Sequence, residues 1–254
     1  MNKTKWIIFP RPNRDAQMRL FCFSFAGGNA STYYHWPNYL PDGVEVAAIQ
    51  LPGRMERVRE QPIGRIEPLI DQLSAEIYPY LDKPFAIFGH SLGALVGYEC
   101  AVALRERYGV LPVHYFASAR RAPHIHYESD PPIHRHARSV LIELLRRYNG
   151  VPQLVLQDEQ LIDLFLPTIR ADFEISETYC YKPTYPLECP VTTFLGKGDR
   201  SMMRSEVRAW QAHTTASYQH HDVEGDHFFI RNFAVFMPQI TTMLQQLLYQ
   251  PIAV

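Results

Sequence analysis

Apolar positions along the chain follow two alternating periods. Short runs rich in β-branched and aromatic residues, bounded by Gly or Pro, predict strands at Leu20–Phe25, Val44–Leu51, Phe85–Phe88, Val113–Ser118, Val191–Leu195 and Ser217–Val223. Between them the spacing changes to threes and fours. Ile66, Leu69, Ile70, Leu73, Ile77, Tyr80 and Leu81 form one helical stripe, and Phe233, Phe236, Met237, Ile240, Leu244, Leu247 and Leu248 form another. Strands alternating with amphipathic helices predict an α/β fold, a mostly parallel sheet with helices on both faces.

Residues 120–185 break the alternation. A polar, His- and Pro-rich piece, Pro123 to His136, opens the segment. Leu141, Leu144, Leu145 and Tyr148 then make a helical stripe that Asn149-Gly150 would end. Asp158 can cap a further helix bearing Leu161, Leu164 and Phe165, which Pro167 is expected to bend or interrupt. A helical insertion between two strands reads as a lid over the sheet's carboxyl edge, though the pattern also fits a plain packing subdomain. The expected organisation is one domain over 1–254 with 120–185 as its helical lid.

Composition narrows the function classes. The 254 residues are 46% hydrophobic and 20% charged, enough apolar content for a substantial core. The formal net charge of −1 lacks the basic excess of a nucleic-acid binder. No apolar run approaches the ~18 residues of a membrane span. The run Trp6 to Phe9, broken by Pro10 and Arg11, is too short for a signal peptide. A cytoplasmic protein is expected. The four cysteines, Cys22, Cys100, Cys180 and Cys189, form no Cys-x-x-Cys pair and are read as free thiols.

Gly89-His90-Ser91-Leu92-Gly93 has the Gly-x-Ser-x-Gly pattern of a nucleophile elbow, with a strand pattern before it and a helix pattern after it. Such a turn holds the Ser91 hydroxyl at a helix N-terminus, and its glycines let strand and helix approach closely. A serine needs a base and a group to orient that base, in the chain order Ser, acid, His. Among eleven histidines, His227 in Gly225-Asp226-His227-Phe228 lies between the last strand and the last helix, where the base belongs. His220 and His221 lie within a strand and read as structural. His213 is placed to meet carbonyls at a helix C-terminus. His90 reads as a packing residue beside the nucleophile. His124, His126, His134 and His136 match no zinc spacing and read as a solvated loop. Asp199, in Gly196-Lys197-Gly198-Asp199 after a strand, is the expected acid; Asp226 is a lesser candidate. The strand one earlier ends in Phe116-Ala117-Ser118-Ala119-Arg120, without a carboxylate. The oxyanion donors should be the N–H of Leu92 and that of Ala26, in the loop Phe23-Ser24-Phe25-Ala26-Gly27-Gly28. Gly27 and Gly28 would let that loop approach the substrate.

Taken together, these residues resemble the type II thioesterases, free-standing editing enzymes of nonribosomal peptide and polyketide synthesis. The resemblance covers nearly the whole chain. It rests on the Phe23–Gly28 loop, Leu51-Pro52-Gly53-Arg54, the elbow, Leu166-Pro167-x-x-Arg170-Ala171-Asp172, Gly196–Asp199 and Gly225–Phe228. Ser24 stands where the family commonly has proline, and Leu92 where methionine is frequent. The resemblance implies an α/β-hydrolase fold and hydrolysis of acyl or aminoacyl thioesters on the phosphopantetheine arm of a carrier protein. The serine mechanism needs no metal or redox cofactor. The chain has no room for a carrier domain, so that partner would act in trans, on an enzyme expected to be monomeric. Arg54, Arg57, Arg59, Arg65, Arg120 and Arg121 are candidates to guide an acidic carrier, or form an ordinary solvated face. A carboxylesterase or lipase-like hydrolase would use the same residues, and a non-catalytic carrier-binding module is a third reading.

Overall fold

A computed structural model describes residues 4–126, 130–148 and 156–249. Among the described residues, seven strands form one sheet in the order β1-β3-β2-β4-β5-β6-β7. They are β1 (Ile7–Ile8), β2 (Met18–Phe23), β3 (Val44–Ile49), β4 (Phe85–His90), β5 (His114–Ser118), β6 (Val191–Gly196) and β7 (Tyr218–Val223). Every pairing is parallel except β1 with β3, where Ile7 faces Ile49 and Ile8 faces Ala48. Part of the Trp6–Phe9 apolar run is thus an edge strand.

The helices are α1 (Ile66–Ile77), α2 (Leu92–Tyr108), α3 (Arg138–Tyr148), α4 (Glu159–Thr178), α5 (Arg204–Arg208) and α6 (Phe233–Tyr249). Strand alternation divides the core in two. Phe21, Phe23, Phe85 and Ile87 pack with α1 and α2 on one face. Leu20, Cys22, Ala86 and Phe88 pack with Trp36 and α6 on the other. Since both faces are covered, β2 and β4 are buried along their whole length, and no polar alternation marks them in the sequence.

Between β5 and β6 lie α3 and α4, with a small core of their own that includes Leu141, Leu145, Ile162, Leu166 and Ile169. Asp158 caps α4, accepting from the Gln160 and Leu161 N–H groups at 2.9 and 3.1 Å. Pro167 does not interrupt α4. It and Asp163, whose carbonyl it leaves without an N–H donor, are both exposed residues. Asn149-Gly150, the expected stop for α3, lies outside the described residues. No described helix is long and apolar enough to cross a membrane.

Candidate active site

β4 runs two residues past its expected end, to His90, and delivers Ser91 directly at the N-terminus of α2. Ser91 has φ 55° and ψ −117°, a strained conformation for a side-chain-bearing residue. Its N–H donates to the Ser118 carbonyl at the tip of β5 at 2.7 Å. The two elbow glycines are needed for close approach. A Cβ on Gly89 would lie 2.5 Å from the Ala94 Cα, and one on Gly93 would lie 2.7 Å from the Ser24 carbonyl oxygen and overlap that of Phe23. Only a bare Cα allows the Phe23–Gly28 loop to lie against the elbow.

The β6–α5 and β7–α6 loops bring the other two groups to the same edge. His227 Nε2 lies 3.1 Å from Ser91 Oγ, and His227 Nδ1 lies 2.6 Å from Asp199 Oδ2. The second oxygen of Asp199 accepts from Ser201, at 2.9 Å from its N–H and 2.6 Å from its hydroxyl. Burial alone would raise the Asp199 carboxyl, but these bonds and the His227 charge outweigh it and hold it below its ordinary value. The carboxylate therefore fixes the Nδ1–H tautomer and turns the Nε2 lone pair toward the serine. Asp226 is engaged elsewhere: its Oδ1 accepts the Phe228 N–H at 2.8 Å.

His90 does more than fill space. Its Nε2 lies 2.9 Å from the His227 carbonyl, which can only accept, so Nε2 carries the proton. Its Nδ1 then accepts from Ser118 Oγ at 2.8 Å. Burial holds its pKa well below the ordinary value, so the ring is neutral. The ring thus ties the β4, β5 and β7–α6 tips together. Ser201, Ser118 and this use of His90 are not legible in the sequence, because a lone serine at or beyond a strand end carries no motif. The Asx turn Asp199-Arg200-Ser201 was the available signal.

The Phe23–Gly28 loop, expected to supply an oxyanion donor, lies against the elbow at Gly93. Leu92 N–H, at the first position of α2, has no partner within the helix. Within the loop, the Gly28 N–H donates to the Phe25 carbonyl at 2.8 Å and the Gly27 N–H to Asp172 Oδ2 at 2.7 Å. Both glycine N–H groups are thus engaged by the protein, so the expected contact of Gly27 and Gly28 with substrate does not run through them. A Cβ on Gly27 would face Ile169 of α4. Ser24, in the proline position, bonds Thr32 Oγ1 at 3.0 Å.

Several expected surface groups are inside. Arg54 and Arg57 are buried and bonded within the protein, to Asp172 and to Glu60 and the Gln50 carbonyl, so neither can guide a carrier. Arg121 is only 14% exposed and pairs with Glu206. Arg59 and Arg65 are exposed. The His-rich piece is no solvated loop throughout: His134 pairs with Glu177 at 2.6 Å, and His124 Nδ1 lies 2.7 Å from His213 Nε2. His213 is buried, with Nδ1 on the Tyr98 hydroxyl at 3.1 Å rather than on helix carbonyls. His220 and His221 stay in the sheet, the first against Thr193 Oγ1 and the second stacked on Phe194. All four cysteines are free. Among the described residues, no group of three or more His, Cys, Asp or Glu is placed to hold a metal.

Residues 18–246 match the family model of the thioesterase domain. The chain belongs to the thioesterase family. This thioesterase is 39% identical over 226 residues to the gramicidin S biosynthesis protein GrsT of Aneurinibacillus migulanus, covering 89% of this chain and 88% of that protein. Its fold matches the solved RedJ thioesterase of the prodiginine pathway in Streptomyces coelicolor, with TM-score 0.83, 35% identity, and 89% and 90% of the two chains covered. It also matches the type II thioesterase BorB from the borrelidin cluster, with TM-score 0.86, 31% identity, and 97% and 98% covered. The thioesterase is a thioester hydrolase on an α/β-hydrolase sheet.

Proposed function

We propose that this enzyme is a type II, editing thioesterase that removes acyl or aminoacyl groups from the phosphopantetheine arm of carrier proteins, with Ser91, His227 and Asp199 as its triad. The observation that carries the proposal is the unbroken contact chain from Ser91 Oγ through the His227 ring to Asp199. The resemblance to GrsT, RedJ and BorB, each tied by its name to a biosynthetic pathway, supports the substrate class.

Ser91 Oγ attacks the thioester carbonyl carbon while its proton passes to His227 Nε2. Asp199 stabilises the imidazolium and keeps its orientation. The N–H groups of Leu92 and Ala26 receive the developing oxyanion. As the tetrahedral intermediate collapses, the C–S bond breaks and His227 returns the proton to the thiolate of the arm. Water then attacks the acyl-serine ester, giving its proton to His227, and the ester C–O bond breaks to release the acid and restore the Ser91 hydroxyl. These steps use the protein's own groups and water. The α3–α4 insertion acts as a lid on a single catalytic domain, and one copy of the chain meets one carrier in trans.

The test loads one carrier protein with a panel of acyl groups and measures their release. Wild type should discharge acyl-carriers faster than it hydrolyses simple esters of the same acids, and Ser91→Ala should abolish both reactions while keeping the fold. Retained turnover in Ser91→Ala would remove the nucleophile assignment. A strong ester preference would point to an ordinary carboxylesterase.

A further inference from the structure

Two motifs left over by the triad, Leu51–Arg54 and Leu166–Asp172, meet in the interior. Asp172 of α4 is 1% exposed and Arg54 is 4% exposed. The Asp172 carboxylate accepts the Gly27 N–H on Oδ2 and Arg54 Nη2 on Oδ1, both at 2.7 Å. Arg54 Nη1 reaches the Gly28 carbonyl at 3.2 Å, which closes a ring of bonds around the Gly27–Gly28 peptide. Adjoining bonds brace this ring. The Arg54 carbonyl accepts Gln50 Nε2, and Gln50 Oε1 accepts the Ala30 N–H, each at 2.9 Å. One turn upstream of Asp172, Thr168 Oγ1 donates to the Gly53 carbonyl at 2.5 Å. With Ser24 and Gly93, Arg54 also borders a cavity of about 10 Å³ between the loop and the elbow.

We propose that Arg54 and Asp172 are positioning residues for the reaction, a buried clamp from the lid helix that holds the Phe23–Gly28 loop so that the Ala26 N–H faces the oxyanion. This deepens the proposed mechanism and rests on its assignment of Ser91 and Ala26. Three physical arguments lead to it. A buried ion pair is seldom more stabilising than apolar residues of the same volume, so stability alone is a weak account of this one. Gly27 sits at φ 75°, and a loop with two adjacent glycines has conformational freedom that must be removed for a preorganised hole. By engaging the Gly27 N–H, the Asp172 carboxylate decides which N–H of the loop is left for the substrate. A bare carboxylate there would also repel the developing negative charge, and the Arg54 guanidinium cancels it. The planar fork spans both Asp172 and the Gly28 carbonyl, a geometry that a lysine ammonium does not reproduce.

The experiment compares wild type, Asp172→Asn, Arg54→Lys and the paired, charge-free Arg54→Met/Asp172→Leu enzyme. Three quantities are measured: kcat and KM on an acyl-pantetheine thioester, the affinity for phenylboronic acid (which forms a tetrahedral adduct on the catalytic serine), and the thermal midpoint. The expected result is a loss in kcat on the order of 100-fold in each variant, with little change in KM and a parallel loss of boronate affinity. The paired variant should show this loss with a thermal midpoint at or above that of wild type. The clamp is refuted by a stable paired variant with wild-type kcat, or by single variants that lose activity only through unfolding and keep boronate affinity. Ser91→Ala is run alongside. If it still turns over or binds the boronate like wild type, the mechanism itself fails. If it is inert while the clamp variants match wild type, only the clamp fails.

Discussion

Replacing Asp199 with Asn tests the geometry of the site most sharply, because the direction of the effect follows from Ser201. In the native site, Asp199 Oδ1 accepts two donors from Ser201, while Oδ2 faces His227 Nδ1 at 2.6 Å. An asparagine amide at this position must turn its oxygen toward the Ser201 N–H, since the opposite orientation would set two donors against each other. Its NH₂ group then faces His227 Nδ1. That nitrogen must become the acceptor, and the ring proton moves to Nε2, 3.1 Å from Ser91 Oγ. An Nε2–H cannot take the serine proton, so only a minor, mis-hydrogen-bonded tautomer reacts. The expected loss in kcat is about 10³–10⁴-fold, or roughly 4–5.5 kcal/mol of barrier. KM should change little, because the substitution leaves the Phe23–Gly28 loop and its bond to Asp172 untouched. The assay follows the released thiol with a chromogenic disulfide, and in parallel the rate at which a fluorophosphonate labels Ser91. Both rates should fall together in a variant that remains folded by near-UV circular dichroism. A folded Asp199→Asn enzyme keeping more than about a tenth of wild-type kcat would refute the tautomer argument, and Asp199 as the orienting acid with it.

Two further predictions concern the frame around the site. Gly93→Ala should reduce activity severely and lower stability by about 3 kcal/mol, because the new Cβ meets main-chain atoms of Phe23 and Ser24 that cannot rotate away. Chemical denaturation alongside activity measures both effects, and an active variant of wild-type stability would show that the loop–elbow contact is not tight. The second is a fall in stability as the solution is acidified below about pH 6.5. Burial pushes His114 down to about 4; burial and the nearby His124 push His213 down to about 4; burial also holds His90 well below its ordinary value. The unfolded chain binds these protons near pH 6.5 and the folded chain does not, so stability is full above that pH and drains away as pH falls toward 4. Each group contributes a slope of about 1 kcal/mol per pH unit. Urea midpoints across this range should shift accordingly, and His114→Gln should flatten the slope by one proton. A midpoint independent of pH between 6.5 and 4.5 would contradict it.

Much of this molecule was legible in the residues because its signals are local. Helical stripes such as Ile66–Ile77 repeat within a few turns, and all six expected strands lie within two residues of the observed ends. Gly89–Gly93 could be read as an elbow because strand, turn and helix are contiguous. Asp199 and His227 could be picked because each follows a strand at the same sheet edge, which a parallel topology brings together. Edge pairing of Ile7 and Ile8 was not legible, since two residues carry no period and their partner lies far along the chain.

What the tertiary structure alone decided is which polar groups are inside and whom they meet. Arg54 and Arg57 look in sequence like the exposed Arg59 beside them, yet they are buried against Asp172, Glu60 and the Gln50 carbonyl. His134 looks like a loop histidine and His213 like a helix-end one until Glu177 and Tyr98 arrive from distant helices. The bond from Asp172 to the Gly27 N–H crosses 145 positions of chain. Periodicity reports which face of an element is apolar, and a motif reports a local turn. The burial of a charge and the tautomer of a ring depend on the desolvation and hydrogen bonds supplied by residues remote in sequence, and those are set only when the chain has closed on itself.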